Sequence, residues 1–195
     1  MHALLKSHFD LALRVIKYLK LAPGLGVEFE KRKGMFDVVV YSDSDLAKCS
    51  VTRRSDSGYC VFVNGNLVSW KSKKQATLSK SSAEAEYRAM DSATCEVMWI
   101  IKVLKDFNID NVIPVNLFCD NKSAIQIASN PVIHEKTKHF DIDFQLVREK
   151  IASGLIKIVN VESKNQVVDI STKALGTFQH SILVKNLGLL NLFAS

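Results

Sequence analysis

Between positions 10 and 21 the apolar residues Leu11, Val15, Ile16 and Leu19 share one side of a predicted helix, which Pro23-Gly24 closes. A weakly alternating stretch over 26–31 runs into a turn at Lys31-Arg-Lys-Gly34. The β-branched run over 36–41 then predicts a strand that ends at Ser42-Asp43. A hairpin follows: 58–63 and 66–71 flank Asn64-Gly65, the strongest short-range hairpin signal. Helical spacing returns over 83–107, a strand over 114–119 ends at Asp120, and a short helix over 121–128 is broken by Asn130-Pro131. A further helix over 140–151, a strand over 155–161 and a last helix before Leu175-Gly176 complete the alternation. The leucine-rich tail over 181–193 reads as a small docking helix. This order predicts an α/β fold: three antiparallel strands, then strands 4 and 5 of a five-stranded mixed sheet, with helices on both faces.

Four acids break the pattern. Ser81 and Glu84 are spaced as a capping box, and the stripe Met90, Ala93, Val97, Ile100 and Leu104, counted back, passes through Glu86. A core-facing polar group without a partner costs ~2–7 kcal/mol, and a charge more. Glu84 counts onto Arg88, Asp91 and Lys102, so it is expected on a more solvated face. Asp43 and Asp120 are the residues on which two strands end, and ligands in open α/β sheets gather at those ends. Asp169, following a second capping-box spacing at Ser163 and Gln166, is expected in the second turn of the last helix. Four converging carboxylates repel one another, and Mg²⁺, which prefers oxygen ligands, resolves the conflict. Two such ions about 3.5–4 Å apart activate a water and stabilise the leaving oxygen of a phosphodiester. Taken singly, Asp43 is also readable as a strand-end cap, Asp120 as an N-cap and Asp169 as an i, i+4 ion pair with Lys173.

Composition narrows the classes. The chain has 195 residues, 47% of them hydrophobic and 24% charged, enough to bury a core and too polar for a membrane protein. There is no run of the ~18 apolar residues that a spanning helix needs and no signal-peptide pattern, which points to a cytoplasmic or nuclear protein. Cys49, Cys60, Cys95 and Cys119 lack zinc or redox spacing and read as reduced, mostly buried thiols. A net charge of +6 gains meaning because the acids cluster while Arg53, Arg54, Lys71, Lys73 and Lys74 lie elsewhere. Those bases are either a solvated face or a grip on phosphates. His134 and His139 are too far apart for a helical zinc pair. Trp70 and Trp99 are expected in the core, and Asp45 and Asp56 in turns.

A family resemblance rests on named stretches. Tyr41-Ser-Asp-Ser-Asp45, Arg53-Arg54 with Ser57-Gly-Tyr59, Ser69-Trp-Lys-Ser-Lys-Lys-Gln75 and Ser81-Ser-Ala-Glu-Ala-Glu-Tyr-Arg-Ala89 come first, in order. Cys119-Asp-Asn-Lys-Ser-Ala-Ile125, Asn130-Pro131 with Lys136-Thr-Lys-His139, and Asp169-Ile-Ser-Thr-Lys173 follow. Together they resemble the ribonuclease H region of copia-type LTR retrotransposon Pol polyproteins. The resemblance implies a ribonuclease H-like fold and places the family's catalytic, metal-holding tetrad on Asp43, Glu86, Asp120 and Asp169. It implies two Mg²⁺ ions, for which Mn²⁺ substitutes, and cleavage of the RNA strand of an RNA–DNA hybrid. Arg53, Arg54, Lys71, Lys73, Lys74, Asn121 and His139 are then the candidates for contact with the hybrid. It further implies three segments: 1–34 as a remnant of the reverse transcriptase C-terminal tail, 35–178 as the ribonuclease H-like domain, and 179–195 as a docking helix or tail. The reverse transcriptase portion of a polyprotein is the implied protein partner. The polymerase's own aspartates are absent, so no DNA synthesis is expected. Leu46 and Lys48 depart from the family's usual residues, and 162–166 carries no histidine where many cellular ribonucleases H have one. A catalytically silent nucleic-acid-binding or docking relic is the alternative, and an integrase or exonuclease on the same fold a third reading.

Overall fold

The structure, a computed structural model, describes residues 5–32, 34, 36–130 and 141–193, the side chains of 141–144 excepted. Its sheet begins, at one edge, with the hairpin that the sequence announces. Strands β3 (Asp56–Val63) and β4 (Asn66–Lys74) meet at Asn64 and Gly65, whose φ values of 49° and 70° give the doubly left-handed turn that matches strand twist. Strand β2 (Val38–Asp45) pairs antiparallel with β3 along its whole length, and β5 (Val115–Cys119) and β6 (Ile156–Asn160) add in parallel. The resulting order is β4-β3-β2-β5-β6, the five-stranded mixed sheet expected from the element order.

Strand alternation sends two sets of side chains to two cores. Val38, Val40, Tyr59 and Val61 face helix α2 (Ser82–Asp106), whose Met90, Ala93, Val97 and Ile100 are buried against them, the stripe read from the sequence. Helices α3 (Lys122–Ser129) and α4 (Asp141–Ala152) extend this layer. On the opposite face Tyr41, Cys60 and Phe62 pack under Val167, Val168 and Leu187, contributed by the segment around helix α5 (Asp169–Thr172) and the end of helix α6 (Thr177–Asn186).

Several boundaries differ from the sequence reading, each for a physical reason. Asp43 does not end its strand: β2 leaves its parallel partner after Tyr41, opposite Phe118, and continues with β3 to Asp45. Residues 163–165 form a 3-10 turn rather than a capped α-turn, because Gln166 spends its side chain on the Ser42 carbonyl (2.9 Å). Asp169 consequently opens a short helix instead of lying in the second turn of a longer one. The leucine-rich tail is not one helix. It breaks at Gly188 (φ 70°), and β7 (Leu189–Asn191) pairs antiparallel with β1 (Leu25–Val27), tying the two ends of the chain together. Helix α1 (Lys6–Leu21) is longer than its periodicity announced and buries none of its residues.

Trp70 and Trp99, expected in the core, are each 60% exposed. Trp99 falls on the side of α2 away from Val97 and Ile100. Trp70 lies on the edge strand β4, where it lines an apolar cavity with Leu67 and Leu187. Of the cysteines, all of them free, only Cys60 and Cys119 are buried. Among the described residues no helix is long and apolar enough to cross a membrane.

Candidate metal centre and its basic rim

Where β2 outruns β5, Asp43 is directed into a gap that the helices close. Its cross-strand neighbour is Gly58, and a Cβ there would come within 2.8 Å of Val168 Cγ1 and 3.0 Å of Thr172 Cγ2. The missing side chain lets α5 lie against β3, and that close approach delivers Asp169, Thr172 and Lys173 to Asp43. The Thr172 hydroxyl donates to Asp43 Oδ2, and Lys173 Nζ lies 3.3 Å from Asp43 Oδ1 and 2.6 Å from Asp169 Oδ1. Lys48 donates to the Thr172 carbonyl and pairs with Asp56 at 3.6 Å, which anchors α5 from the other side.

The other two acids come from α2 and the end of β5. Glu86 Oε1 accepts the Ser44 N–H (3.1 Å), and Asp120 Oδ2 accepts the Ser163 hydroxyl (2.8 Å). Ligand atoms of Glu86, Cys119 and Asp120 all lie within 4.8 Å of one another. Of the four acids predicted from sequence, Glu86 and Asp120 thus meet directly beside Cys119, while Asp43 and Asp169 meet through Lys173; Asp43, Glu86 and Asp169 are buried and Asp120 is half-buried.

The electrostatics are unbalanced. Burial, with the charges of Asp43 and Asp120, pushes the Glu86 carboxyl up to about 9, against the opposing Ser44 N–H and Lys173. Burial also raises Asp169, although its hydrogen bond from Lys173 opposes the shift. For Lys173 burial disfavours the ammonium, but the Asp169 hydrogen bond and the charges of Asp43 and Asp169 outweigh it and raise its pKa. Such a donor set fits a hard divalent cation: the ligands are carboxylate oxygens, and a cation would offset the burial and the repulsion that disfavour the charged form of Glu86. It does not suit a soft metal, because burial and Glu86 push the Cys119 thiol far up, away from the thiolate that soft ions need.

Glu84 overturns one expectation. It is as buried as Glu86, each 5% exposed. Its Oε2 accepts the Lys80 N–H (2.8 Å), its Oε1 lies 3.3 Å from Arg88 Nη2, and its own N–H is capped by Ser81 at 3.2 Å. The helical count missed this because the approach to the helix folds back over its first turn.

The candidate nucleic-acid residues separate. Lys71 and Lys73, two apart on β4, line a groove of about 460 Å³ with Arg88, Asp91, Ser92 and Thr77. Lys71 Nζ also sits 5.7 Å from the Tyr59 ring centre. Lys74 borders the same groove, and its Nζ lies 3.1 Å from Cys49 Sγ, a thiol whose pKa is drawn down to about 6 by hydrogen bonds from Thr52 and Lys74. Arg53 and Arg54 are exposed on the loop after β2. Asn121, not Asp120, is the N-cap of α3, its side chain accepting the Ala124 N–H at 3.0 Å. His134 and His139 lie outside the described residues.

Two buried glutamines brace this arrangement and had no periodic signal to announce them. Gln75 Nε2 reaches Ser57 Oγ (2.7 Å) and the Ala85 carbonyl (2.9 Å), joining β4 to β3 and the start of α2. Gln166 ties the loop before α5 to β2. The sequence marked Gln75 only as the end of a family-like stretch and Gln166 only as a capping-box partner.

Strand order and converging acids together define an α/β domain of the ribonuclease H-like fold. No family model matches the chain. It is 32% identical over 190 residues to the retrovirus-related Pol polyprotein from transposon RE2 of Arabidopsis thaliana, covering 97% of this chain and 13% of that protein. To the corresponding polyprotein from transposon RE1 of the same plant it is 34% identical over 175 residues, covering 90% of this chain and 12% of the relative. The chain is homologous to retrovirus-related Pol polyproteins of copia-type transposons over most of its length, and it spans only about an eighth of theirs. Among solved structures, the N-terminal RNase H domain of a Mycobacterium tuberculosis protein, fused to maltose-binding protein, superposes with a TM-score of 0.46 at 10% identity, covering 76% of this chain and 96% of that one.

Proposed function

We propose that this domain hydrolyses the RNA strand of RNA–DNA hybrids at the pocket formed by Asp43, Glu86, Asp120 and Asp169. The observation that carries the reading is the Glu86 carboxyl, buried on a helix face among two other acids and pushed up to about 9. Carboxyls perturbed by burial together with specific charged neighbours cluster at functional sites. Two divalent cations, Mg²⁺ or Mn²⁺, would supply the activated water and the charge that stabilises the leaving oxygen.

The chain's own residues prepare the place. Asp43 and Asp169 form one half of the pocket and Glu86 with Asp120 the other. The Ser44 N–H, the Ser163 hydroxyl and the Thr172 hydroxyl fix the carboxylates in position. Lys71 and Lys73, along the groove on the α2 side of β4, neutralise phosphates of the hybrid, with Lys74, Arg53 and Arg54 flanking. Contacts to 2′-hydroxyls in a minor groove of A-like shape distinguish the RNA strand without reading its sequence. In this reading 35–178 is the catalytic unit, and 1–34 and 179–195 are the segments by which it joins a polymerase portion. The β1–β7 pairing supports treating those two segments together.

The test is cleavage of a hybrid beside a DNA duplex of the same sequence, with Mg²⁺ and with chelator. Mg²⁺-dependent cutting confined to the RNA strand is expected. Cutting of both duplexes would transfer the site to a different nuclease class, and cutting of neither would favour the silent module.

A further inference from the structure

The two halves of the pocket are not equivalent. In the half made by Glu86 and Asp120, the hydrogen bonds come from the Ser44 N–H, the Cys119 thiol and the Ser163 hydroxyl, all neutral. In the half made by Asp43 and Asp169, a charged ammonium stands between the carboxylates, 3.3 Å from one and 2.6 Å from the other. Lys173 reaches it from the C-cap of α5, where its own N–H still bonds the Asp169 carbonyl at 2.8 Å. Thr172, the residue before it, holds the second oxygen of Asp43, so α5 engages both oxygens of that carboxylate.

Resting on the metal-dependent reading above, we propose that Lys173 is a built-in counter-ion of the Asp43–Asp169 half, which a divalent cation must displace to load that half. The chemistry of the side chain suits the task. An ammonium is a compact point charge on a flexible four-carbon stem, able to neutralise two carboxylates and to leave without backbone movement. The Lys173 side chain is 35% exposed, so a path to solvent exists. A cation and an ammonium within about 4 Å of each other repel strongly in a half-buried pocket, so the two occupy this half in turn. The consequence is ordered loading: the Glu86–Asp120 half takes a cation first, and the Asp43–Asp169 half takes one only at the higher concentration set by Lys173. Lys173 is thus a positioning residue for the metal rather than a catalytic one.

Mn²⁺ binding followed by electron paramagnetic resonance on chelator-stripped protein tests this without reference to turnover. The variants are Lys173→Gln, which drops the charge and keeps a donor, and Lys173→Arg, which keeps the charge. Wild type should show a tight and a weak Mn²⁺. In Lys173→Gln the weak ion should tighten by ~10-fold or more, with the metal-free protein melting lower and Mn²⁺ restoring it, while Lys173→Arg stays near wild type. A Lys173→Gln protein that folds only with Mn²⁺ would support the proposal, and one that stays unfolded with Mn²⁺ would overturn it. Unchanged Mn²⁺ affinity in Lys173→Gln, beside a wild type whose binding is lost in Glu86→Gln, would overturn the proposal and leave the metal site standing. Absence of Mn²⁺ binding in wild type and Lys173→Gln alike would overturn both.

Discussion

Glu84 and Glu86 lie two residues apart at the start of α2, are equally buried, and are treated by the fold in opposite ways. Around Glu84 everything is complementary: a guanidinium, a backbone N–H, and the positive end of a helix that its charge favours. Around Glu86 the charges of Asp43 and Asp120 add to the cost of burial, and the Ser44 N–H with the more distant Lys173 compensates only in part. Burial alone therefore does not mark a functional acid; the sign of its surroundings does. Glu84 is a structural ion pair that secures the helix start, and Glu86 is a group held at a disadvantage, which in the proposed function a cation removes.

The largest expected effect comes from erasing that disadvantage. Glu86 has a native pKa near 9 against 4.5 in the unfolded chain, so between those values the native protein holds the extra proton. Its contribution to stability is accordingly full below about pH 4.5 and is lost as pH rises through 9. Glu86→Gln should flatten this dependence and stabilise the metal-free protein at pH 7 by ~2 kcal/mol or more, since one pKa unit is worth about 1.36 kcal/mol. Denaturant midpoints at pH 5, 7 and 9 check it. Mg²⁺ should reverse the order, because wild type gains by ligand binding and the variant does so less. A wild type whose metal-free stability rises from pH 5 to 9 would contradict this electrostatic picture.

Gly58→Ala should come next. The added methyl meets Val168 and Thr172, and overpacking of this kind costs ~1–3 kcal/mol. More specifically, α5 must retreat from β3, which draws Thr172, Lys173 and Asp169 away from Asp43. Hybrid cleavage should fall more than stability does. Loss of stability with cleavage intact would mean that the approach of α5 serves packing alone.

Glu84→Gln is the smaller perturbation. The variant keeps its shape and part of its hydrogen bonding but loses the charge that meets Arg88, for a cost of ~1–2 kcal/mol. Its stability should respond to Mg²⁺ as wild type does, in contrast to Glu86→Gln. If the two variants lose metal response equally, the distinction between the glutamates fails.

The sequence carried the sheet because its strands are unambiguous: a β-branched run before Asp43, Asn64-Gly65 between two strands, a strand ending at Asp120 and an apolar run over 155–161. It carried Glu86 because a stripe of five apolar residues leaves one place for it. What it hid was held by contacts distant along the chain. Gln166 looked like a capping-box partner until its side chain was found on Ser42, 124 residues away. Lys173 was legible as an i, i+4 partner of Asp169, but its second contact, to Asp43 on β2, depends on the bare backbone at Gly58. Glu84 was misplaced for a different reason: its partners are near in sequence, but the Lys80 N–H that covers it at 2.8 Å comes from the turn before the helix, which a helical count does not place. The exposed faces of Trp70, Trp99 and α1 were equally out of reach, because periodicity gives a face its direction and does not say what lies opposite.

The central claim, that these four carboxylates form a metal-dependent nuclease centre, is tested most directly by Asp120→Asn measured for cleavage and binding on one preparation. Asp120 lies at the pocket edge and carries no packing role, so the fold should survive the change. Hybrid cleavage in Mg²⁺ should drop by ~100-fold or more, as expected when charge stabilisation of a phosphodiester transition state is removed, while affinity for the hybrid is retained. An Asp120→Asn protein that cuts hybrid at the wild-type rate would contradict the account.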